Sequence, residues 1–239
     1  MATRRRGLAL RLLRGLLLVV AAWATLIVGS VVALRWIDPP FTAFMVESRI
    51  GALFSREPGY QFRHDWRDWD RISKNAALAV VASEDQLFPN HNGFDFKQID
   101  KALEAHERGR RVRGASTISQ QVAKNLFLWP GQSWVRKGFE AGITVLIEAC
   151  WDKRRILEVY LNVAEFGRGT FGVQAASRRF FRKDANRLTA AEAALLAAVL
   201  PAPKRFKVDA PSRYVRYRQA WILRQMASLG GTSYLAQLR

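Results

Sequence analysis

A mainly α domain behind a single membrane-spanning helix is the fold this sequence predicts, on three observations. Residues 15–34, GLLLVVAAWATLIVGSVVAL, carry no charge over twenty positions. Beyond them, apolar residues recur at spacings of three and four, the period of a helix with one buried face. No long stretch alternates apolar with polar residues as a half-buried strand would.

The uncharged run comes first. At about 1.5 Å per residue it reaches roughly 30 Å, one hydrocarbon thickness. It is longer than the apolar region of a cleaved signal, and RWIDPPF follows it in place of a small-residue cleavage site. Arg4, Arg5, Arg6, Arg11 and Arg14 precede the span, and only Arg35 sits just after it. The positive-inside rule therefore predicts a cytoplasmic basic tail (1–14), a transmembrane helix (15–35) and an exported domain (36–239).

Asp38-Pro39-Pro40 breaks that helix, and Phe41 to Ala52 resumes an amphipathic pattern close to the bilayer. The run NAALAVVA is apolar at every position from Ala76 to Ala82, which predicts burial on all sides. Glu84 and Asp85 follow it at once. Acids are almost never buried without a partner, so a pair of them where a core helix ends calls for a reason.

In GASTISQQVAKNLF, 114–127, Thr117 and Gln120 have capping-box spacing, so a helix starts there beside the small residues Gly114 and Ala115. Gln120 and Lys124 share one face, as do Gln121 and Asn125, and together they offer amide and ammonium donors. An ordinary capped helix with a polar outer face accounts for the stretch equally well. In SWVRKGFEAGITVLIEACW, Arg136 and Glu140 stand four apart with Lys137 between them. A surface ion pair, at most about 1 kcal/mol, explains that spacing without any function. KRRILEVYLN, 153–162, reads as a core helix in which Glu158 and Asn162 are structural.

Gly167, Gly169 and Gly172 match G-x-G-x-x-G, but a dinucleotide site needs a strand in front of it, and the preceding ILEVYLNVAEF reads as helix. A tight turn with close packing is the better reading. Thr189 and Glu192 form a second capping box opening AAEAALLAAVL, which Pro201 ends. Ser212 to Leu229 forms a last helix, stopped by Gly230-Gly231.

Composition narrows the chemistry. Over 239 residues, 49% apolar content is ample for a packed core. Cys150 is the only cysteine, which rules out an intramolecular disulfide and a cysteine-built zinc site. His64, His91 and His106 lack the close helical spacing of a metal pair, though one of them could join a mixed carboxylate site. The net charge is +18; residues 1–35 hold six arginines and no acid, leaving the remainder at +12. Against a membrane, such charge suits anionic head groups or a phosphorylated lipid; outward placement makes nucleic acid the poorest candidate.

Taken in order, E84-D85-x-x-F88-x-x-H91-x-G93, G114-A-S-T-x-x-Q-Q-x-x-K124-N125, R136-K137-x-x-E140 and I156-L-E-x-Y-L-N162 resemble the peptidoglycan glycosyltransferases of bacterial cell walls. The resemblance covers about residues 70 to 203 and departs only at Val122-Ala123, a packing change. Bifunctional members add a penicillin-binding domain. This chain holds no Ser-x-x-Lys or Lys-Thr-Gly and so looks like the monofunctional biosynthetic kind.

The resemblance implies a lysozyme-like helical lobe with a smaller, membrane-dipping jaw, held at the outer face of the cytoplasmic (inner) membrane. The implied substrates are lipid II and the growing glycan strand, and the implied surroundings are membrane lipids and other cell-wall or division proteins. It implies Glu84 as general base and Glu140 as a second catalytic acid that orients the acceptor or the cations. Lys124, Arg136 and Lys137 would hold a pyrophosphate, and Ser116, Thr117, Gln120, Gln121 and Asn125 would line the donor side. Asp85, Phe88, His91 and Gly93 would shape the turn. No cofactor is required, though a divalent cation, Mg or Mn, bridging Glu140 and the pyrophosphate is chemically open.

Elementary electrostatics agrees about Glu84. A carboxylate at the negative end of a helix dipole, beside Asp85 and at the edge of an apolar core, has its ionised form disfavoured and is the stronger base for it. Two other classes compete. A lytic muramidase leaves GASTISQQVAKN and the cationic motif without purpose, and a non-catalytic anchor leaves Glu84 and Glu140 without one.

Overall fold

The computed structural model describes residues 2–56, 59–109, 116–131 and 133–238, the side chains of 2–9, 103 and 106 apart. Gly114 and Ala115 lie outside these residues, and so does the side chain of His106. The fold is mainly α, in two units, Met1–Ile37 and Asp38–Arg239.

The first unit is helix α1, Ala2–Ala33. Its stretch Leu10–Ala33 is long and apolar enough to cross a membrane. The basic tail does not stand apart from the span. Its Arg, Leu and Ala residues are good helix formers, and the helix runs straight through them.

The second unit opens with α2, Ala43–Phe54, started by the Thr42 hydroxyl, which accepts the Met45 N–H at 3.1 Å. The helix buries Met45 and Ser48 and exposes Val46, Ile50, Leu53 and Phe54, the last two by 76% and 83%. Isolated exposed apolar residues are ordinary, but four on one short helix form a face suited to the lipid interface. Residues 36–239 alone should therefore bind anionic vesicles at low salt, because the apolar face and the +12 charge both remain. Flotation tests this, and a truncated protein that stays wholly in the aqueous fraction would remove α2 as a membrane contact.

The core is built on α3, Lys74–Glu84, with Ala76 to Ala82 all buried. It packs against α7 (Lys153–Val163), α9 (Ala190–Val199) and α10 (Arg213–Ser228). Alanines on α3 and α9 let these helices approach closely, while Leu78, Val81, Ile156, Leu157 and Val199 fill the space between them. Each such large side chain stabilises the fold by about 1.5–3 kcal/mol. Next to this layer, α5 (Ile118–Phe127) packs against α7 and α6 (Trp134–Cys150), and α4 (Phe96–Glu107) and α8 (Val173–Phe181) complete the helices.

A small sheet, unforeseen from the sequence, joins β1 (Arg63–His64), β2 (Glu165–Gly167) and β3 (Thr170–Phe171) in the order β1-β3-β2. β1 runs parallel to β3 with Arg63 opposite Thr170, and β2 is antiparallel to β3 with a bulge. A strand thus does precede Gly169, but it turns back as a hairpin, so the glycine pattern serves packing. At Gly172, φ is +83° and a Cβ would lie 2.6 Å from the Asn162 carbonyl oxygen. Asn162 is structural as predicted: its amide accepts the Arg67 N–H and donates to the Arg67 carbonyl, both at 2.8 Å. Glu158 is structural too, accepting the Trp69 N–H at 2.6 Å.

Candidate active site

Helix α3 ends on Glu84, and the Asp85 N–H closes its last turn on Val81. The Asp85 carboxylate is buried. It accepts the Ile118 N–H at 3.0 Å, at the first turn of α5, and lies 2.9 and 3.0 Å from His91 Nε2. His91 Nδ1 accepts the Gly93 N–H at 3.2 Å, so the ring proton sits on Nε2 and points at Asp85. Phe88 is fully buried with the His91 ring edge-on to it at 6.2 Å. Gly93 has φ +86°, and a Cβ there would come within 2.7 Å of Thr144 Cγ2. These four residues build the turn that follows Glu84.

Thr117 and Gln120 form the predicted capping box, at 3.0 and 3.2 Å, and the Thr117 hydroxyl donates to the Gly93 carbonyl at 2.6 Å. Both side chains are buried, and the Thr117 hydroxyl and Gln120 Oε1 are engaged with the backbone. In the structure these bonds tie α5 to the turn. The polar stripe survives in Gln121, Lys124 and Asn125, which line a cavity of about 340 Å³. Glu84, Ser116 and Gln121 line a neighbouring one of about 680 Å³.

The Arg136–Glu140 pair is not at the surface. The Ser133 hydroxyl starts α6 by accepting the Arg136 N–H at 3.1 Å, and the helix then turns Glu140 inward to 3% exposure. Arg136 Nη1 donates to one Glu140 oxygen at 3.0 Å and Lys137 Nζ to the other at 2.5 Å. Burial makes this carboxylate a fixed anchor for two cations, since removing one partner of a buried pair costs about 3–5 kcal/mol. Arg136 Nε is buried with no protein partner among the described residues.

Lys124 joins the two halves. Its ammonium senses Glu140, Arg136, Lys137 and Glu84, and it lies 5.7 Å from the Phe44 ring centroid. Burial is the main cause that holds its pKa below the ordinary value of 10.5, with Arg136 and Lys137 adding to it and the two glutamates opposing.

Around Glu84 the structure adds partners that the sequence reading missed. Gln121 Nε2 donates to one carboxylate oxygen and Arg218 Nη2, from α10, to the other, both at 3.1 Å. Tyr160, from α7, donates to Gln121 Oε1 at 3.1 Å. The pKa of Glu84 lies above its ordinary 4.5, chiefly through burial; Arg218, the Gln121 hydrogen bond and Lys124 pull against this, and Asp85 adds a little to it. The direction agrees with the electrostatic expectation, with burial as the dominant cause. A further buried cluster braces the turn from behind: Lys153 Nζ bonds the His91 carbonyl and reaches both Glu148 oxygens at 2.8 Å.

The site thus sets a desolvated carboxylate, held by an amide and a guanidinium, near a bank of cations, the kind of perturbed, charge-dense cluster found at enzyme active sites. The chain belongs to the transglycosylase family, which matches residues 51–227. It is similar to the biosynthetic peptidoglycan transglycosylase of Klebsiella oxytoca, 59% identical over 223 residues, 93% of this chain and 92% of that protein. It is also similar to the protein of that name from Cronobacter sakazakii, 55% identical over 241 residues, 99% and 98% of the two chains.

Proposed function

We propose that this peptidoglycan glycosyltransferase polymerises lipid II, a disaccharide-pentapeptide on undecaprenyl pyrophosphate, into glycan strands. Supporting this is the placement of a raised-pKa carboxylate, Glu84, beside Lys124 and the Arg136–Lys137–Glu140 cluster. The growing strand is the donor. The 4-hydroxyl oxygen of incoming lipid II attacks the donor's anomeric carbon from the face opposite the pyrophosphate and forms the new C–O bond. The bond from that carbon to the pyrophosphate oxygen breaks with its electron pair, the hydroxyl proton passes to Glu84, and the configuration inverts. A departing pyrophosphate needs positive charge more than it needs a proton, and Lys124, Arg136 and Lys137 supply it. Gln121 and Pro201 line both cavities, and Glu84 lines the larger, so the base opens onto one cavity and Lys124 onto its neighbour.

A divalent cation at Glu140 does not fit these residues. Both of its oxygens already accept from cations, and Lys124 adds more positive charge close by. The positive-inside pattern supports an N-terminus in the cytoplasm and a catalytic domain on the outer side of the inner membrane, where lipid II is consumed.

Purified protein supplied with lipid II should yield long glycan, one undecaprenyl pyrophosphate per link, and a new linkage of opposite anomeric configuration to the donor's. Fragments released from added murein, or lipid II returned unchanged, would defeat the reading.

A further inference from the structure

We propose that the Tyr160 hydroxyl sets the direction of the Gln121 amide, so that Glu84 always meets an N–H and never the amide oxygen. Tyr160 therefore acts as a positioning residue for the base.

The Tyr160 side chain is 1% exposed, and its hydroxyl proton has Gln121 Oε1 as its acceptor among the described residues. An amide has two unlike ends of nearly the same shape, and a buried site must choose between them. With the amide turned over, the phenol proton would be buried without an acceptor and the amide oxygen would face a carboxylate. Both changes are unfavourable while Glu84 is ionised. Once Glu84 has taken a proton the second penalty disappears, because a carboxylic acid can donate to the amide oxygen. Only the phenol then resists the flip. Tyr160 thus denies the protonated acid a hydrogen bond that would stabilise it.

The other groups facing Glu84 do not settle the amide's direction. Arg218 holds the opposite oxygen, Lys124 acts through its charge, Asp85 is paired with His91, and Tyr234 on the next segment senses Asp85 and donates to the Gln86 carbonyl. Burial and the negative charge of Glu84 hold the Tyr160 phenol well above its ordinary value of 10.0, so it stays a donor throughout the working range.

Tyr160→Phe removes only the hydroxyl from a packed ring. Without it, the amide is free to turn whenever Glu84 is protonated, which stabilises the acid and moves its titration to higher pH. Two readouts on the full-length protein in detergent test this. The first is the carboxyl carbon-13 titration of Glu84, assigned by its absence in Glu84→Gln. The second is the pH–rate profile for lipid II polymerisation, which rests on Glu84 being the base. The titration midpoint should rise in Tyr160→Phe, and the rate on the acid limb should fall roughly five-fold, the worth of about one hydrogen bond. The loss should be largely recovered above the limb. In a Gln121→Ala background, where no amide remains to turn, Tyr160→Phe should cause no additional shift.

An unmoved Glu84 titration, or an equal shift with and without the Gln121 amide, would overturn the proposal. A shifted titration with an unshifted rate limb would leave the amide lock standing and count against Glu84 as the base. A uniform drop in rate at every pH, with no titration change, would reduce Tyr160 to a packing residue and overturn the proposal too.

Discussion

Glu84→Gln should lower the rate of lipid II polymerisation by about 10²-fold or more and leave donor binding largely intact. The substitution preserves shape and keeps one oxygen, which can still accept from Arg218, while the Gln121 amide, which donates to the other oxygen, must turn to accept from the new NH2. On the proposed mechanism it removes the acceptor for the hydroxyl proton, a need that arises only in the transition state. The rate of the unaltered enzyme should rise with pH through the titration of Glu84, which burial places above the ordinary carboxylate value of 4.5. That limb should vanish in Glu84→Gln and persist in Glu140→Gln, since the Glu140 oxygens are both paired, with Arg136 and Lys137. A near-normal rate in Glu84→Gln, together with loss of the limb in Glu140→Gln, would transfer the role of base to Glu140.

Lys124→Ala should weaken both donor binding and turnover, each by roughly ten-fold or more, since charged hydrogen bonds contribute about 1.5–3 kcal/mol. The pyrophosphate is charged before and after bond cleavage, so its cation acts in the ground state as well as in the transition state. A second effect has a definite sign. The Lys124 charge lowers the pKa of Glu84, so its removal should push the acid limb to higher pH. Arg136→Ala is a poorer test, because it also leaves Glu140 buried with one cation fewer and confounds binding with stability. Equilibrium binding of a non-hydrolysable donor analogue, measured beside the pH–rate profile, separates the two effects of Lys124. Unaltered binding would take this lysine out of the pyrophosphate site.

Much of this arrangement could be read from the sequence, for local reasons. The apolar run before Glu84, both capping boxes and the proline and glycine stops are signals carried by neighbouring residues, and the helices begin and end close to where those signals stand. Burial and pairing across the fold were not legible. Arg136 and Glu140 have the same spacing whether they face water or the core, and the distinction came only with α6 packed on α5. Thr117 and Gln120 showed as a cap, but nothing local told that the Thr117 hydroxyl would also reach the Gly93 carbonyl. Arg218 lies 134 residues from Glu84, in a segment whose pattern announces only an amphipathic helix. The strands are two or three residues long, too short for alternation to register.

The links from Asp85 to Ile118, from Thr117 to Gly93 and from Lys153 to the His91 carbonyl stitch α3, α5 and α7 together through one buried turn. Local melting of any one helix end would therefore expose orphaned polar groups in the other two, which makes partial opening nearly as unfavourable as complete unfolding. The backbone amide of Ile118 should consequently be among the slowest in the molecule to exchange its hydrogen with solvent, and its exchange rate a sensitive gauge of the whole domain's cooperativity.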